Sequence, residues 1–224
     1  MASFDIENYR KAAISVDCVI FGFDERELKV LLIRSDHPKY RGRWSLLGDL
    51  VQPDEALDKA AYRILRERTG IRNVYLEQVY AFGAPKRHPA GRIVTVAYYS
   101  LINIEHCKLT THANELHWHA VKEVKRMAFD HKKIFDTCLK QLKESLLDRA
   151  VGFNLLPKKF SLRELQHVYE AILGVELDRR NFRKKIMSMD MIEDLNEMEN
   201  DVPHRPGKLY RFKGHAPEKI FKGG

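Results

Sequence analysis

The chain has 224 residues, of which 44% are hydrophobic and 31% are charged, and its formal net charge is +8. This length is enough for one core of about 150 residues and a second compact unit. No apolar run reaches the ~20 residues that a membrane-spanning helix needs, which excludes a membrane-embedded chain. The positive charge makes an anionic partner the first hypothesis, with a mildly basic enzyme as the alternative.

The three cysteines, Cys18, Cys107 and Cys138, lie far apart and form no CxxC pair. An odd number of cysteines cannot be paired completely within one chain, which favours a reducing environment. No signal peptide is evident in the first residues. We therefore expect a cytoplasmic protein.

The first half of the chain has the pattern of a sheet. Apolar runs at residues 16–23 and 28–33 are separated by four charged residues, which is typical of a hairpin. Further strands are predicted at residues 74–82 and 92–104, the latter rich in β-branched and aromatic residues, with a loop at 83–91 between them.

Residues 44–71, with the sequence WSLLGDLVQPDEALDKAAYRILRERTGI, have a spacing similar to the Nudix box, G-x5-E-x7-R-E-U-x-E-E-x-G-U, where U is bulky and apolar. The resemblance implies a loop, a helix and a second loop. With Gly70 and Ile71 as anchors, the other motif positions fall on Asp49, Glu55, Arg63, Ile64, Glu67 and Arg68. Ile64, Glu67 and Arg68 correspond to the three metal-binding glutamates of the motif.

Two of these three positions lack a carboxylate. Cleavage of a diphosphate in this family requires Mg²⁺ held by oxygen ligands, and Ile64 supplies none. Arg68 places a fixed positive charge where the ion would bind, and at ~4 Å the repulsion is on the order of several kcal/mol. We therefore predict a domain that binds without cleaving and has no catalytic residue, metal or cofactor; the alternative is an ordinary amphipathic core helix.

A second unit is predicted to begin near residue 157, after glycine and proline interrupt a helical pattern. Ser161 and Glu164 have the spacing of a capping box, and Gly174 is placed to end that helix. Asp178 is placed to cap a second, strongly basic helix. The segments Met191-Ile192-Glu193 and Lys208-Leu209-Tyr210-Arg211-Phe212, on either side of a polar stretch, then predict the hairpin wing of a winged helix-turn-helix.

Forked or short donors on the second helix suit base edges, and lysines suit phosphates. The predicted DNA-binding residues are Lys159, Ser161, Arg163, Arg179, Arg180, Asn181, Arg183, Lys184, Lys185, Arg205 and Lys208. The alternative is that the basic run is a solvated helix face.

Together the two halves resemble the Nudix-related transcriptional regulators, in which a degenerate Nudix domain senses a small molecule and a C-terminal winged helix binds operator DNA. The resemblance rests on the box, on FSLRELQHVYEAILGVELDRRNFRKKI and on RPGKLYRF. It implies an α+β fold, with a Nudix α/β/α sandwich for effector binding and dimerisation at residues 1–153 and a winged helix-turn-helix at 154–224. The regulator is expected to be a homodimer on a palindromic operator.

Within this family the chain resembles most closely the L-arabinose-responsive AraR branch. The loop at residues 87–89 reads Arg-His-Pro where ADP-ribose sensors tend to have Arg-Asp-Pro, and Asp49 replaces a glycine. This implies a repressor of L-arabinose utilisation genes that leaves DNA when the sugar binds. Candidate ligand-binding residues are Phe21, Arg43, Trp44, Asp49, Glu67, Tyr80, Phe82 and His88.

Three alternatives remain open. They are an ADP-ribose-responsive regulator of NAD metabolism, an active Nudix hydrolase with a basic appendage, and a Nudix protein that binds RNA.

Overall fold

The structure is a computed structural model that describes residues 11–24, 27–109, 116–148, 155–200, 202–203 and 205–213. Its first half is a seven-stranded mixed sheet in which β1 and β6 are parallel neighbours. The strands are β1 (Ala13–Phe23), β2 (Leu28–Arg34), β3 (Trp44–Ser45), β4 (Leu47–Leu50), β5 (Glu77–Phe82), β6 (Ile93–Asn103) and β7 (Leu116–Ala120). The predicted hairpin is confirmed as the antiparallel pair β1–β2, although residues 25–26 of its turn lie outside the described part.

Alternate residues of β1 pack on opposite faces of the sheet. Val16, Cys18 and Ile20 lie in one core with helix α1 (Leu57–Thr69). The odd-numbered residues from Val19 to Phe23 lie in another core with helix α2 (His131–Asp148). Because strand side chains alternate between faces, a strand that is apolar at every position is buried on both sides. The predicted α/β/α sandwich is confirmed.

The second half is a winged helix. Helices α3 (Leu162–Leu173) and α4 (Arg179–Ser188) form the helix-turn-helix, and β8 (Phe160–Ser161), β9 (Ile192–Met198) and β10 (Lys208–Phe212) form a three-stranded sheet. Ser161 and Glu164 make both bonds of the predicted capping box, and Gly174 ends α3 with φ +74°. Asp178 accepts a hydrogen bond from the backbone N–H of Asn181 at the start of α4.

The wing differs from the prediction in one respect. Strand β9 continues to Met198, whereas the polar stretch that begins at Asp194 was predicted to be a loop. Polar side chains remain compatible with a strand here because β9 lies at the edge of the sheet, where one side faces solvent. None of the helices among the described residues is long and apolar enough to cross a bilayer.

The two halves pack against each other. Buried residues of the winged helix, including Leu165 and Tyr169, belong to the same apolar cluster as the α2 residues Leu142 and Leu146. Lys143 on α2 also donates a hydrogen bond to the carbonyl of Leu173 at 2.9 Å. Helix α2 therefore contacts both the Nudix sheet and the winged helix.

Candidate functional site

A cavity of about 390 Å³ opens beside β1 and β4 of the sheet. Its volume lies in the range of small-molecule sites. The wall comes from separate parts of the chain: Ser15, Asp17, residues 33–37, residues 45–50, Arg68, Arg87, His88, Ala90, Ile93, Phe129 and His131. The cavity exists only because the fold brings these segments together.

A buried charge network lies at the base of this cavity. The Arg87 guanidinium makes two hydrogen bonds to the Asp130 carboxylate, at 2.9 and 2.8 Å, and lies 3.7 Å from Asp17. The side chain of Arg87 is only 3% exposed. Thr95 also donates a hydrogen bond to Asp17 at 2.7 Å. A Cβ at position 48 would lie 2.2 Å from the Asp17 carboxylate, so Gly48 permits this close approach of β4.

His131 connects this network to β3. Its Nδ1 accepts a hydrogen bond from the backbone N–H of Leu46 at 3.0 Å and lies 3.0 Å from the Ser45 hydroxyl. The neutral ring therefore carries its proton on Nε2, which lies 3.6 Å from Asp17. Burial lowers the pKa of His131 below its ordinary value of 6.5, although Asp17 and Asp130 oppose the shift.

We expect the free energy of unfolding to decrease as the pH falls below 6.5. The unfolded chain binds a proton at His131 in that range while the folded chain resists it, so acid favours unfolding. One proton contributes at most about 1.4 kcal/mol per pH unit. Urea unfolding at several pH values checks this, with His131→Asn as the comparison because asparagine keeps an acceptor for Leu46. Equal pH dependence in the two proteins would contradict the assignment.

Aromatic side chains form a shelf along one wall. The rings of His88 and Phe129 are stacked, with centroids 4.8 Å apart and planes 11° from parallel. Tyr40 and His37 contact Phe129 at 4.6 and 5.3 Å between centroids. Phe129 has φ +50°, a conformation that costs a bulky L-residue energy and that tends to occur at functional sites. We call His37, Tyr40, His88 and Phe129 the aromatic shelf.

A basic loop borders the aromatic shelf. Residues 38–43, PKYRGR, contain Lys39, Arg41 and Arg43 and no acidic residue. The Lys39 ammonium and the Arg43 guanidinium lie 5.6 and 5.7 Å from the centre of the Tyr40 ring. The loop directly follows the lining residues 33–37 in the chain, so it places positive charge next to the aromatic shelf although residues 38–43 are not part of the cavity wall.

The Nudix helix is held by its own arginine. Arg63 donates to both oxygens of Glu55, at 2.8 and 2.9 Å, and to the backbone carbonyl of Leu50 at 3.0 Å. This pair lowers the pKa of the Glu55 carboxyl, and Glu67 lies 3.3 Å from the same guanidinium. Both remaining glutamates of the box therefore contact Arg63.

The two replaced metal positions differ in their surroundings. Arg68 lines the cavity and forms an ion pair with Asp49 at 3.1 Å. Ile64 is 1% exposed and packs in the apolar core with Ala60, Ala61 and Leu65. Where the motif has carboxylates, this chain therefore places a paired cation at the cavity and a core residue inside the fold.

The structure places only two of the predicted ligand-binding residues, Asp49 and His88, in the wall of the cavity. Phe21 and Phe82 lie in the core because their positions on β1 and β5 face the α2 side of the sheet. The guanidinium of Arg34 covers Trp44, and its central carbon lies 3.5 Å from the centre of the Trp44 ring. The remaining three are exposed outside the cavity wall: Arg43, Glu67 and Tyr80. A role in ligand binding stays a prediction for all eight candidate residues.

The predicted DNA-binding residues fall into two groups. Those on α4 are exposed: Arg179, Arg180, Asn181, Arg183, Lys184 and Lys185. The others lie on or near the wing: Lys159, Ser161, Arg163, Arg205 and Lys208. Ser161 is 2% exposed and its hydroxyl accepts the N–H of Glu164, so it acts as a helix cap. His204, beside Arg205, lies outside the described residues.

Comparison with known proteins places these features in a family. The model of the NUDIX domain matches residues 11–138, and that of the NrtR DNA-binding winged helix domain matches residues 152–212. The chain is 34% identical over 218 residues to the ADPR responsive transcriptional repressor NtrR of Acinetobacter baylyi, across 95% of this chain and 86% of that protein. It belongs to the NrtR family. It is thus a DNA-binding transcriptional regulator.

Solved structures of the NrtR family have the same architecture. Shewanella oneidensis NrtR complexed with a 27mer DNA superposes with a TM-score of 0.74 at 31% identity, over 89% of this chain and 93% of that chain. The Nudix domain of the same protein complexed with ADP ribose gives a TM-score of 0.54 at 31% identity, over 63% of this chain and 95% of that domain. The predicted domain boundary at residue 153 lies outside the described residues and stays a prediction.

The predicted L-arabinose-responsive branch is not supported, because these relatives are NrtR regulators. Asp49, whose replacement of a glycine was one reason for that branch, forms an ion pair with Arg68. The charge of a side chain in sequence gives no information about its partner in the fold. The carbohydrate assignment rested on that residue and on one loop tripeptide.

Sequence reasoning also missed residues that build the cavity. Asp17, Arg87, Phe129 and His131 line it, and none was among the predicted site residues. One signal was present, since Asp17 is a charged residue inside an otherwise apolar strand and such residues are rarely buried without a partner. The positions of Arg87 and Phe129 depend on loops that only the tertiary structure fixes.

Proposed function

We propose that this chain is an ADP-ribose-responsive transcriptional repressor whose Nudix domain binds its effector without hydrolysing it. The observation that carries the proposal is the aromatic shelf, which contributes three residues to the cavity wall and lies beside the basic loop at residues 38–43. A nucleoside diphosphate has a flat base and two anionic phosphates, so it requires both features. The names of the relatives, one responsive to ADPR and one complexed with ADP ribose, support the same ligand class.

The His88 and Phe129 rings stack on each other and are both partly exposed, and their exposed surface suits a purine or a ribose ring. The cations of residues 38–43 suit the diphosphate, because guanidinium groups bind phosphate oxygens through charge-assisted hydrogen bonds. A neutral pentose offers neither an extended flat face nor a negative charge. This chemistry favours ADP-ribose over L-arabinose.

Loss of hydrolysis follows from the residues at the metal positions. The Arg68 side chain lines the cavity where a divalent cation would need carboxylates, and a fixed cation there repels the ion. Glu55 is engaged by two nitrogens of Arg63 and would have to leave that pair to bind a metal. We therefore propose a domain that recognises a Nudix substrate as a signal.

The DNA half is proposed to act as a homodimer, with one α4 helix in each half of a palindromic operator. Helix α2 links the two functions, since it begins at His131 in the cavity wall and contacts the end of α3 through Lys143. An effector that binds the protein more tightly when α2 has one orientation favours that orientation. It would change the free energy of DNA binding by the difference between its own binding free energies for the two orientations.

We expect ADP-ribose to raise the melting temperature of the full chain and to weaken its binding to operator DNA, whereas L-arabinose does neither. A ligand at one hundred times its Kd adds about 2.7 kcal/mol to the stability of the folded state. Differential scanning fluorimetry and fluorescence anisotropy measure the two effects. Phosphate release with ADP-ribose and Mg²⁺ is measured in parallel, and rapid turnover would refute the non-hydrolysing assignment.

Variants of the aromatic shelf locate the effector. Phe129→Leu is expected to weaken ADP-ribose binding about tenfold, because base stacking on an aromatic ring is worth about 1–3 kcal/mol. Tyr80→Leu removes an aromatic ring that is 60% exposed and outside the cavity wall, so it should leave the affinity unchanged. If Tyr80→Leu is the damaging variant, the ligand binds elsewhere.

A further inference from the structure

Charge is separated within the winged helix. Helix α4 carries five cations and no acidic residue between Arg179 and Ser188. Strand β9 carries three acidic residues and no cation between Ile192 and Met198. A domain that binds a polyanion thus contains a negatively charged strand at the edge of its own wing.

The three carboxylates of β9, and those of Asp190 and Glu199 on either side of it, are engaged by the cations around them. The ion pairs are Lys159–Glu197 at 2.6 Å, Arg211–Glu193 at 2.7 Å, Lys208–Asp194 at 2.7 Å and Arg163–Glu199 at 3.3 Å, together with Lys213–Asp190. Three of the cations, Lys159, Arg163 and Lys208, are ones that the sequence predicts to contact DNA. Each is therefore neutralised by a carboxylate of its own domain.

The strand register explains the pairing. Strands β9 and β10 are antiparallel, and Arg211 lies directly opposite Glu193. Opposite charges across a strand pair attract each other, which favours this register. The pairing lowers the pKa of Glu193 and of Asp194, so both carboxyls stay ionised near neutral pH. The negative charges of the wing are therefore permanent under the conditions of DNA binding.

The cations of α4 have a different environment. Arg180, Lys184 and Lys185 are exposed and form no ion pair with any residue that the structure describes. Arg183 lies close enough to Asp194 and Lys208 to influence both electrostatically. Phosphates that approach α4 meet cations that form no ion pair with a described residue, whereas phosphates that approach β9 meet carboxylates.

Sequence-independent affinity for DNA comes mainly from cations that replace the counterions of phosphates. A cation that is already paired contributes less, because its carboxylate lies within the Debye length of about 10 Å and repels the same phosphate. We infer that the carboxylates of β9 are specificity determinants that neutralise the wing and so confine phosphate contacts to α4. With fewer phosphate contacts, base recognition by α4 provides a larger share of the binding energy.

The test removes the three β9 carboxylates with Glu193→Gln, Asp194→Asn and Glu197→Gln in the full chain. The backbone N–H of Asn196 donates a hydrogen bond to Asp194, and the asparagine introduced by Asp194→Asn can still accept it. Binding is measured between about 50 and 200 mM salt, on a labelled duplex of scrambled sequence and on an operator selected from random duplexes with the unmodified protein. Circular dichroism and thermal unfolding verify the fold.

The triple variant is expected to bind the scrambled duplex at least about tenfold more tightly, with a salt slope steeper by up to about 2.7. Operator affinity should rise by a smaller factor, so the ratio of specific to non-specific affinity falls. The matched control Glu27→Gln, Glu105→Gln and Asp136→Asn removes three charges from the Nudix domain and frees Lys122 and Lys132. The control should leave the affinity for the scrambled duplex and the ratio of specific to non-specific affinity nearly unchanged.

A double-mutant cycle on one pair remains informative if the triple variant does not fold. Lys159→Met alone should have little effect on binding to the scrambled duplex. In a protein that already carries Glu197→Gln, Lys159→Met should remove the increase in affinity for the scrambled duplex that Glu197→Gln caused. Equal effects of Lys159→Met in both backgrounds, an unchanged salt slope, or an effect as large in the Nudix-domain control would overturn the inference.

Discussion

Ile64→Glu is expected to lower the free energy of unfolding by about 3–5 kcal/mol and to give no gain of hydrolysis. Ile64 is 1% exposed in an apolar core formed by α1 and β1, so the new carboxylate has no water and no partner there. Adding Arg68→Glu does not help, because it introduces a second carboxylate one helical turn away and supplies no cation for the buried one. Urea unfolding and phosphate release with Mg²⁺ and ADP-ribose measure the two outcomes.

Two comparison variants separate the causes. Ile64→Met keeps the position apolar at a similar volume and should cost less than about 1.5 kcal/mol. Arg68→Glu changes a side chain that is 46% exposed and should leave the protein folded. A folded Ile64→Glu protein with metal-dependent hydrolysis would show that this position faces the cavity, contrary to the structure.

Arg87→Met is expected to destabilise the Nudix domain by about 3–5 kcal/mol, which corresponds to roughly 10 °C in melting temperature. Methionine fills similar space but leaves the Asp130 carboxylate, and Asp17 at 5% exposure, without a cation. The cost arises from unpaired buried charge, because carboxylates removed from water need a partner. Urea and thermal unfolding give the magnitude.

The neighbouring cation provides the control. Lys86 is exposed in the same loop, so Lys86→Met should change stability by less than about 0.5 kcal/mol. Asp130→Asn combined with Arg87→Met should recover part of the loss, since it removes one of the unpaired carboxylates. If Arg87→Met costs no more than Lys86→Met, the buried network does not stabilise the fold.

Both halves of the molecule contain cations with and without carboxylate partners, and Arg87 and Arg68 are paired examples in the Nudix domain. These arginines are paired with Asp130 and Asp49, whereas Lys39, Arg41 and Arg43 of the loop at residues 38–43 form no ion pair with a described residue. In the winged helix, Lys159 and Lys208 are paired on the wing, whereas Arg180, Lys184 and Lys185 on α4 form no ion pair with a described residue. Cations without a described ion-pair partner therefore lie at both proposed anion sites.

Features that depend on neighbours in sequence could be predicted from the sequence. The capping box of Ser161 and Glu164, the glycine that ends α3 and the cap at Asp178 all formed as predicted. Each requires only residues within one helical turn, so its energy does not depend on the rest of the fold. The sandwich could also be predicted, because apolar strand patterns flank a segment with the spacing of the Nudix box and the resemblance to that family implies the fold.

The cavity and the wing depended on contacts between distant residues. Asp17 and Arg87 meet although they are far apart in sequence, and the ion pair between Asp49 and Arg68 likewise joins residues that the sequence does not show to be neighbours. The pairing of Lys208 with Asp194 likewise depends on how β9 and β10 align. The sequence determined which side chains carry charge and where helices begin. Only the tertiary structure decided which charges neutralise each other, because Coulomb energy depends on distances in space that residue numbers do not contain.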